Sequence, residues 1–188
     1  MTFKITALAA AVLFTTACTG SSRAETPEEA VMFMVFGVRD KDAANSASFA
    51  KTSDTPLTLA FQSSRTGMAL TLMSLSVTKE DDCTYLVGMK PAEGAQNPMP
   101  EGKIRFDLTK LQNVTFKGMG EVELKGAALQ CVESPTSCTN FPRATREGRW
   151  EAHFGPVVAG NEADVRKGHQ QALNDTVKAF KANICKAR

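Results

Sequence analysis

The sequence predicts an α+β fold, an antiparallel, curved, half-barrel-like sheet with an N-terminal apolar helix and a C-terminal amphipathic helix. Three observations predict it. A capped apolar run follows residue 25, short segments of alternating polarity separated by turn residues occupy the middle, and one long apolar stripe of helical period closes the chain.

Thr26-Pro27-Glu28-Glu29 has capping-box spacing, with Pro at the first helical position, so a helix starts there. It continues through Ala30 to Val38, nine residues without a polar side chain. At 100° per residue such a helix offers no face to water and must be covered on most sides. Burial between a sheet and another element satisfies this. A sharper reading makes Val31, Met32, Val35 and Phe36 an apolar surface for a partner, a second copy or a lipid. The same run also fits a strand buried on both faces.

Arg39 to Pro56 is rich in Ala, Ser and Asp and reads as a long polar connection. Leu57, Leu59 and Phe61 then alternate with smaller residues. Met68, Leu70 and Leu72 give way to Met73, Leu75 and Val77 with a one-residue change of phase, which predicts a bulge near Leu72. Lys79-Glu80-Asp81-Asp82 is a charged turn, after which Cys83, Tyr85, Val87 and Met89 share a face. Pro91 to Lys103 carries three prolines and reads as an exposed loop.

Ile104, Phe106 and Leu108 begin the second half of the sheet. Val114 to Phe116, Glu121 to Lys125 and Ala127 to Val132 supply short strands broken by glycines. Arg149 to Phe154 is the last strand, with Trp150, Ala152 and Phe154 facing in. Asn161 is the expected N-cap of the closing helix, whose stripe is Val165, His169, Leu173, Val177, Phe180 and Ile184.

The first 24 residues carry a different message. Lys4 precedes a thirteen-residue, largely apolar run, Ile5 to Ala17, rich in Ala, Leu and Val and followed by small polar residues, which is a secretory signal layout. A bilayer-spanning helix needs about twenty such residues, and no later segment approaches that length. Two processing sites fit. Cleavage after Ala24 leaves Glu25 first, whereas Thr15-Thr16-Ala17-Cys18 resembles a bacterial lipobox with Cys18 as the candidate lipid attachment. Both place the chain outside the cytoplasm, in the periplasm or tethered to the outer membrane through Cys18.

Residues 25–188 then form a single globular domain, as the 188-residue length, 43% hydrophobic and 22% charged content allow. Processing removes Lys4 and Arg23 and no acid, leaving 20 cationic and 20 acidic side chains. A neutral domain has no electrostatic case for nucleic acid. Cys83, Cys131, Cys138 and Cys185 remain, an even number with three possible connectivities. Cys131 and Cys138 flank the turn-forming Ser134-Pro135-Thr136 and are expected to staple a hairpin, leaving Cys83 and Cys185 to each other.

The Thr26-Pro27-Glu28-Glu29-Ala30 opening, the Phe106-Asp107-Leu108 strand end, the Cys131 and Cys138 hairpin and the final Ala179-Phe180 helix ending in Ile184-Cys185 together carry a resemblance. The chain resembles bacterial exported domains of unknown function built like a pleckstrin-homology half-barrel. The resemblance implies no catalytic residues. The Arg39 to Pro56 connection and the Pro91 to Lys103 insert depart from it.

No motif announces a chemistry. His153 and His169 lie sixteen residues apart on a strand and a helix, and read as a solvated and an edge-of-core histidine. Ser48-Phe49-Ala50-Lys51 and Ser76-Val77-Thr78-Lys79 match SxxK without its partner motifs SDN and KTG. The methionines read as core filler and not copper ligands, because the two-residue spacing of Met32 and Met34 separates them around a helix. Glu80, Asp81 and Asp82 lack calcium-loop spacing. Arg143, Arg146 and Arg149 beside Phe141 form a small basic loop, offset by Glu147 and Glu151. No cofactor or metal is expected. The sequence therefore favours a non-enzymatic envelope binding or assembly module, whose partner is another envelope protein, a second copy or lipid. The alternative is a carrier of a hydrophobic ligand, with its pocket between the Ala30 to Val38 helix and the sheet; an enzyme ranks third.

Overall fold

The computed structural model describes residues 25–44, 47–63, 70–93, 101–118, 120–132, 149–154 and 162–186. The fold is α+β, with two helices and strands that pair antiparallel in two sheets, neither closed. In chain order the elements are α1 (Pro27–Phe36), β1 (Ala43–Ala44), β2 (Ala47–Asp54), β3 (Leu57–Ser63), β4 (Leu70–Lys79), β5 (Thr84–Pro91), β6 (Gly102–Asp107), β7 (Asn113–Gly118), β8 (Glu121–Lys125), β9 (Ala128–Cys131), β10 (Arg149–His153) and α2 (Glu162–Asn183). The large sheet runs β1-β2-β3-β4-β5-β6-β9 and the small one β10-β8-β7.

Helix α1 starts where the capping box sets it. Thr26 Oγ1 accepts from the Glu29 N–H, and Glu29 accepts in return from the Thr26 N–H. Gly37 ends the helix in the left-handed conformation, its N–H donating to the Phe33 carbonyl. Between these caps α1 touches β4 of the large sheet, β8 and β10 of the small sheet, and α2. A helix without a polar face is thus covered on every side by its own chain. Val31, Met32, Val35 and Phe36 are at most 1% exposed. Their reading as an exposed partner surface is corrected: the core of this same domain consumes their apolar area, with Met32 also lining a cleft beside the helix.

The alternation in the strands sets the core as expected. Leu57 and Leu59, Met73, Leu75 and Val77, Tyr85, Val87 and Met89, and Ile104 and Phe106 are all buried in the core cluster that contains α1. The phase change near Leu72 is a bulge: Phe61 pairs with Met73 but Gln62 with Thr71, leaving Leu72 as the extra residue. The Arg39 to Pro56 stretch differs from its expected connection, because β1 and β2 lie within it. Only Phe49 of β2 is buried, so the alternation that marks its neighbours is missing, and pairing with β3 makes the strand.

Between β8 and β9 the chain passes from the small sheet to the large one at Gly126, with φ +88°. A Cβ there would collide with the Lys110 carbonyl oxygen, so the crossing requires glycine. Trp150 of β10 fills the space between the sheets, edge-on to Phe36 and to Phe106 with centroids 6.3 and 5.2 Å away.

Helix α2 lies along β7 and α1. Its buried residues are Leu173, Thr176 and Phe180, and Cys185 just beyond its end is buried too. The Cys83–Cys185 disulfide ties this end to the β4–β5 turn, with Cα atoms 4.8 Å apart across a sequence separation of 102. The expected N-cap, Asn161, lies outside the described residues.

Candidate functional site

A cleft of about 400 Å³ opens beside α1, between that helix and strands β2 and β3. Its floor is Met32, Val38, Leu57 and Leu59, and its rim carries Glu25, Glu29, Arg39, Asp40 and Lys51. The fold brings these together simply. The start of α1 presents Glu25, before the N-cap, and Glu29 of the capping box at one end, the turn after Gly37 returns Arg39 and Asp40 past the helix, and β2 supplies Lys51.

The rim is stitched by ion pairs. Arg39 Nε lies 3.1 Å from Glu25, and Lys51 Nζ lies 3.4 Å from Glu29 and 2.9 Å from Asp54. The Lys51 backbone N–H donates to Asp40 Oδ1 at 2.8 Å. The hydrogen bond to Asp54 raises the Lys51 ammonium above the ordinary lysine range. Arg39 also reaches across the body of the protein. Its guanidinium carbon sits 3.4 Å from the Phe33 ring centroid, and Nη2 donates to Thr176 Oγ1 of α2. Asp42 accepts from the Arg39 N–H at 2.7 Å, and burial raises its carboxyl above the usual range.

A second charged constellation covers the outer face of the small sheet. Glu123 is 4% exposed, and Lys117 Nζ approaches its Oε2 to 2.6 Å. Lys125 and Arg149 stand 3.2 and 3.3 Å from its Oε1 without hydrogen-bond alignment. Lys117 also meets Glu121 and Glu151. The Lys117 hydrogen bond holds the Glu123 carboxyl below its ordinary value despite burial. Every charge in this set has an opposite neighbour, so the arrangement binds the three strands together.

The other sequence candidates scatter. Cys83 and Cys185 pair as expected. Cys131 is disulfide-bonded, while Cys138 and the candidate lipid attachment Cys18 lie outside the described residues. Phe141, Arg143 and Arg146 do too. Ser48 and Lys51 stand three apart on β2, and Ser76 and Lys79 three apart on β4, a spacing that sends side chains to opposite faces of a strand. Asp81 Oδ1 accepts from the Cys83 and Thr84 N–H groups and shapes the turn, and Glu80 pairs with Arg105. Among the described residues no group of three or more His, Cys, Asp or Glu could hold a metal ion.

His153 is exposed at the end of β10, as expected of a solvated histidine. His169 lies between aromatic rings, 5.1 Å from Phe33 and 4.5 Å from Phe116, and donates to the Gly37 carbonyl. Burial, with the nearby Arg39 charge, lowers its pKa to about 4, so the ring is neutral near pH 7. Arg39 and Glu123 escaped sequence reasoning, because each sits among residues that read as solvated surface, and Lys51 entered it only as the lysine of the SxxK match. No family model, curated protein or solved structure matches this chain.

Proposed function

We propose that this chain is an exported protein of the bacterial envelope, a non-enzymatic binding or assembly module held in shape by disulfides. It is either released after cleavage behind Ala24 or anchored through Cys18. The observation that supports the reading most is the Cys83–Cys185 bond, because disulfides persist in oxidising compartments and the N-terminus has the layout of an export signal. The resemblance to exported half-barrel domains points the same way. The partner is another envelope protein, a second copy or lipid. The surface to probe is the charged rim around Arg39 and Lys51. Cross-linking in intact cells, comparing the natural chain with an Arg39→Glu, Lys51→Glu variant, tests the reading. It predicts an adduct that the variant loses, and unchanged adducts would refute a role for this rim.

One observation favours the carrier reading as a second: the cleft floored by Met32, Val38, Leu57 and Leu59 lies between α1 and the sheet. Native mass spectrometry of protein extracted from the source envelope separates the two. A carrier retains a small apolar molecule, and a protein-binding module does not.

A further inference from the structure

The two halves of α2 are held differently. From Leu173 onward the helix is seated by Leu173, Thr176 and Phe180, by Arg39 donating to Thr176, and by the Cys83–Cys185 bond beyond its end. From Ala163 to Ala172 no residue is buried. There the helix spans a cavity of about 570 Å³ lined by Phe116, Ala163, Arg166, Lys167 and Gln170. Gly168, a poor helix former, stands in this segment with nothing near its Cβ position.

Gln170 and His169 tie the first half to the body. Gln170 accepts from the Phe116 N–H at 2.7 Å and donates to the Val114 carbonyl at 2.9 Å. His169 enters between Phe33 and Phe116 and donates to Gly37, while its Nε2 is buried without a hydrogen-bond partner among the described residues.

We propose that the first half of α2, up to the seat at Leu173, is a lid that opens by local unfolding, and that His169 is the latch that holds it closed. Protonation adds a hydrogen to Nε2, where no acceptor waits among the described residues, and takes a charge out of water. The charged groups described around the ring do not offset this. From the turn after α1, Arg39 faces the ring as a like charge, itself paired with Glu25, and Asp42 is engaged by the Arg39 backbone. On α1 and β7 the facing groups are the Phe33 and Phe116 rings, and Lys117 is taken up by Glu121, Glu123 and Glu151. On α2 itself Arg166 and Lys167 lie at the cavity. Opening uncovers the Phe33 and Phe116 rings while the Cys83–Cys185 bond keeps the helix attached.

Hydrogen exchange read by mass spectrometry on the oxidised full chain tests this, at about pH 7 and about pH 4 with labelling times corrected for intrinsic rates. Protection of residues 163–171 is expected to fall roughly tenfold or more in acid, while that of 173–183 changes less than about threefold. His169→Phe, which fills the slot without titrating, is expected to keep the first half protected at both pH values. Uniform loss along α2, or the same loss in His169→Phe, overturns the latch. Should that variant not fold, the His169 imidazole resonances of the natural chain decide. A midpoint coinciding with the loss of protection upholds the latch; a midpoint near the ordinary 6.5 overturns it.

Discussion

The indole Nε1–H of Trp150 donates to the backbone carbonyl of Val35 at 2.8 Å, inside the core. Val35 lies in the last turn of α1, where carbonyls lose their helical partners, and the Arg39 N–H that would serve it donates to Asp42 instead. A strand of the small sheet thereby caps the central helix. Trp150→Phe keeps most of the apolar contact but orphans that carbonyl, and is expected to destabilise the fold by about 1–3 kcal/mol. Urea denaturation followed by circular dichroism measures it, and an unchanged midpoint would show that the bond contributes nothing.

The Cys83–Cys185 bond closes a long loop, which in the chain-entropy model restricts the unfolded ensemble by up to about 4.7 kcal/mol. Replacing both cysteines by Ser is therefore expected to lower stability by several kcal/mol, with the largest loss of amide protection at the C-terminal end of α2. Thermal melts and hydrogen exchange report the two quantities separately. Equal stability of the two proteins would contradict the assignment of the bond as a main staple.

Gly126→Ala places a methyl group against the Lys110 carbonyl at a left-handed backbone position. The expected cost exceeds about 1–3 kcal/mol, since strain at such a φ and a backbone clash coincide. Loss of soluble expression or a lowered denaturation midpoint agrees with this; a wild-type midpoint does not.

His169 makes stability fall in acid. Its pKa is about 4 in the fold against an ordinary 6.5, so its contribution is fully present above pH 6.5 and is lost as pH drops through 4. At most about 3 kcal/mol is involved. Carboxylates such as Glu123 also weaken the fold in acid, so the informative quantity is the difference between the natural chain and His169→Phe. Denaturation midpoints of the two proteins should diverge between about pH 6.5 and 4, and parallel curves would remove the histidine from the account.

Legibility in the sequence followed the strength of local signals. The capping box and nine apolar residues made α1 plain, and its burial on all sides followed from the lack of a polar face. The bulge at Leu72 was visible because a residue of wrong phase interrupts a clean alternation. By contrast β2 was hidden, since Ala, Ser, Lys and Thr surround a single inward Phe49 and the strand depends on its pairing with β3. The division into two sheets was hidden as well, since a crossing such as that at Gly126 from β8 to β9 resembles any other turn. Arg39 and Lys51 were illegible for a related reason: their partners Glu25, Glu29 and Thr176 are distant in sequence or belong to other elements. The sharper reading of α1 as an apolar partner surface gave way to burial, because periodicity states how much area must be covered and not what covers it.

The measurement that tests export and disulfide stapling most directly is intact mass determination of the protein taken from its source cells, with thiols blocked at lysis. The account predicts a chain that begins at Glu25 or at an acylated Cys18, with Cys83, Cys131, Cys138 and Cys185 all inaccessible to the alkylating reagent before reduction. A cytosolic chain that retains residues 1–24 and takes up reagent at those cysteines would contradict it.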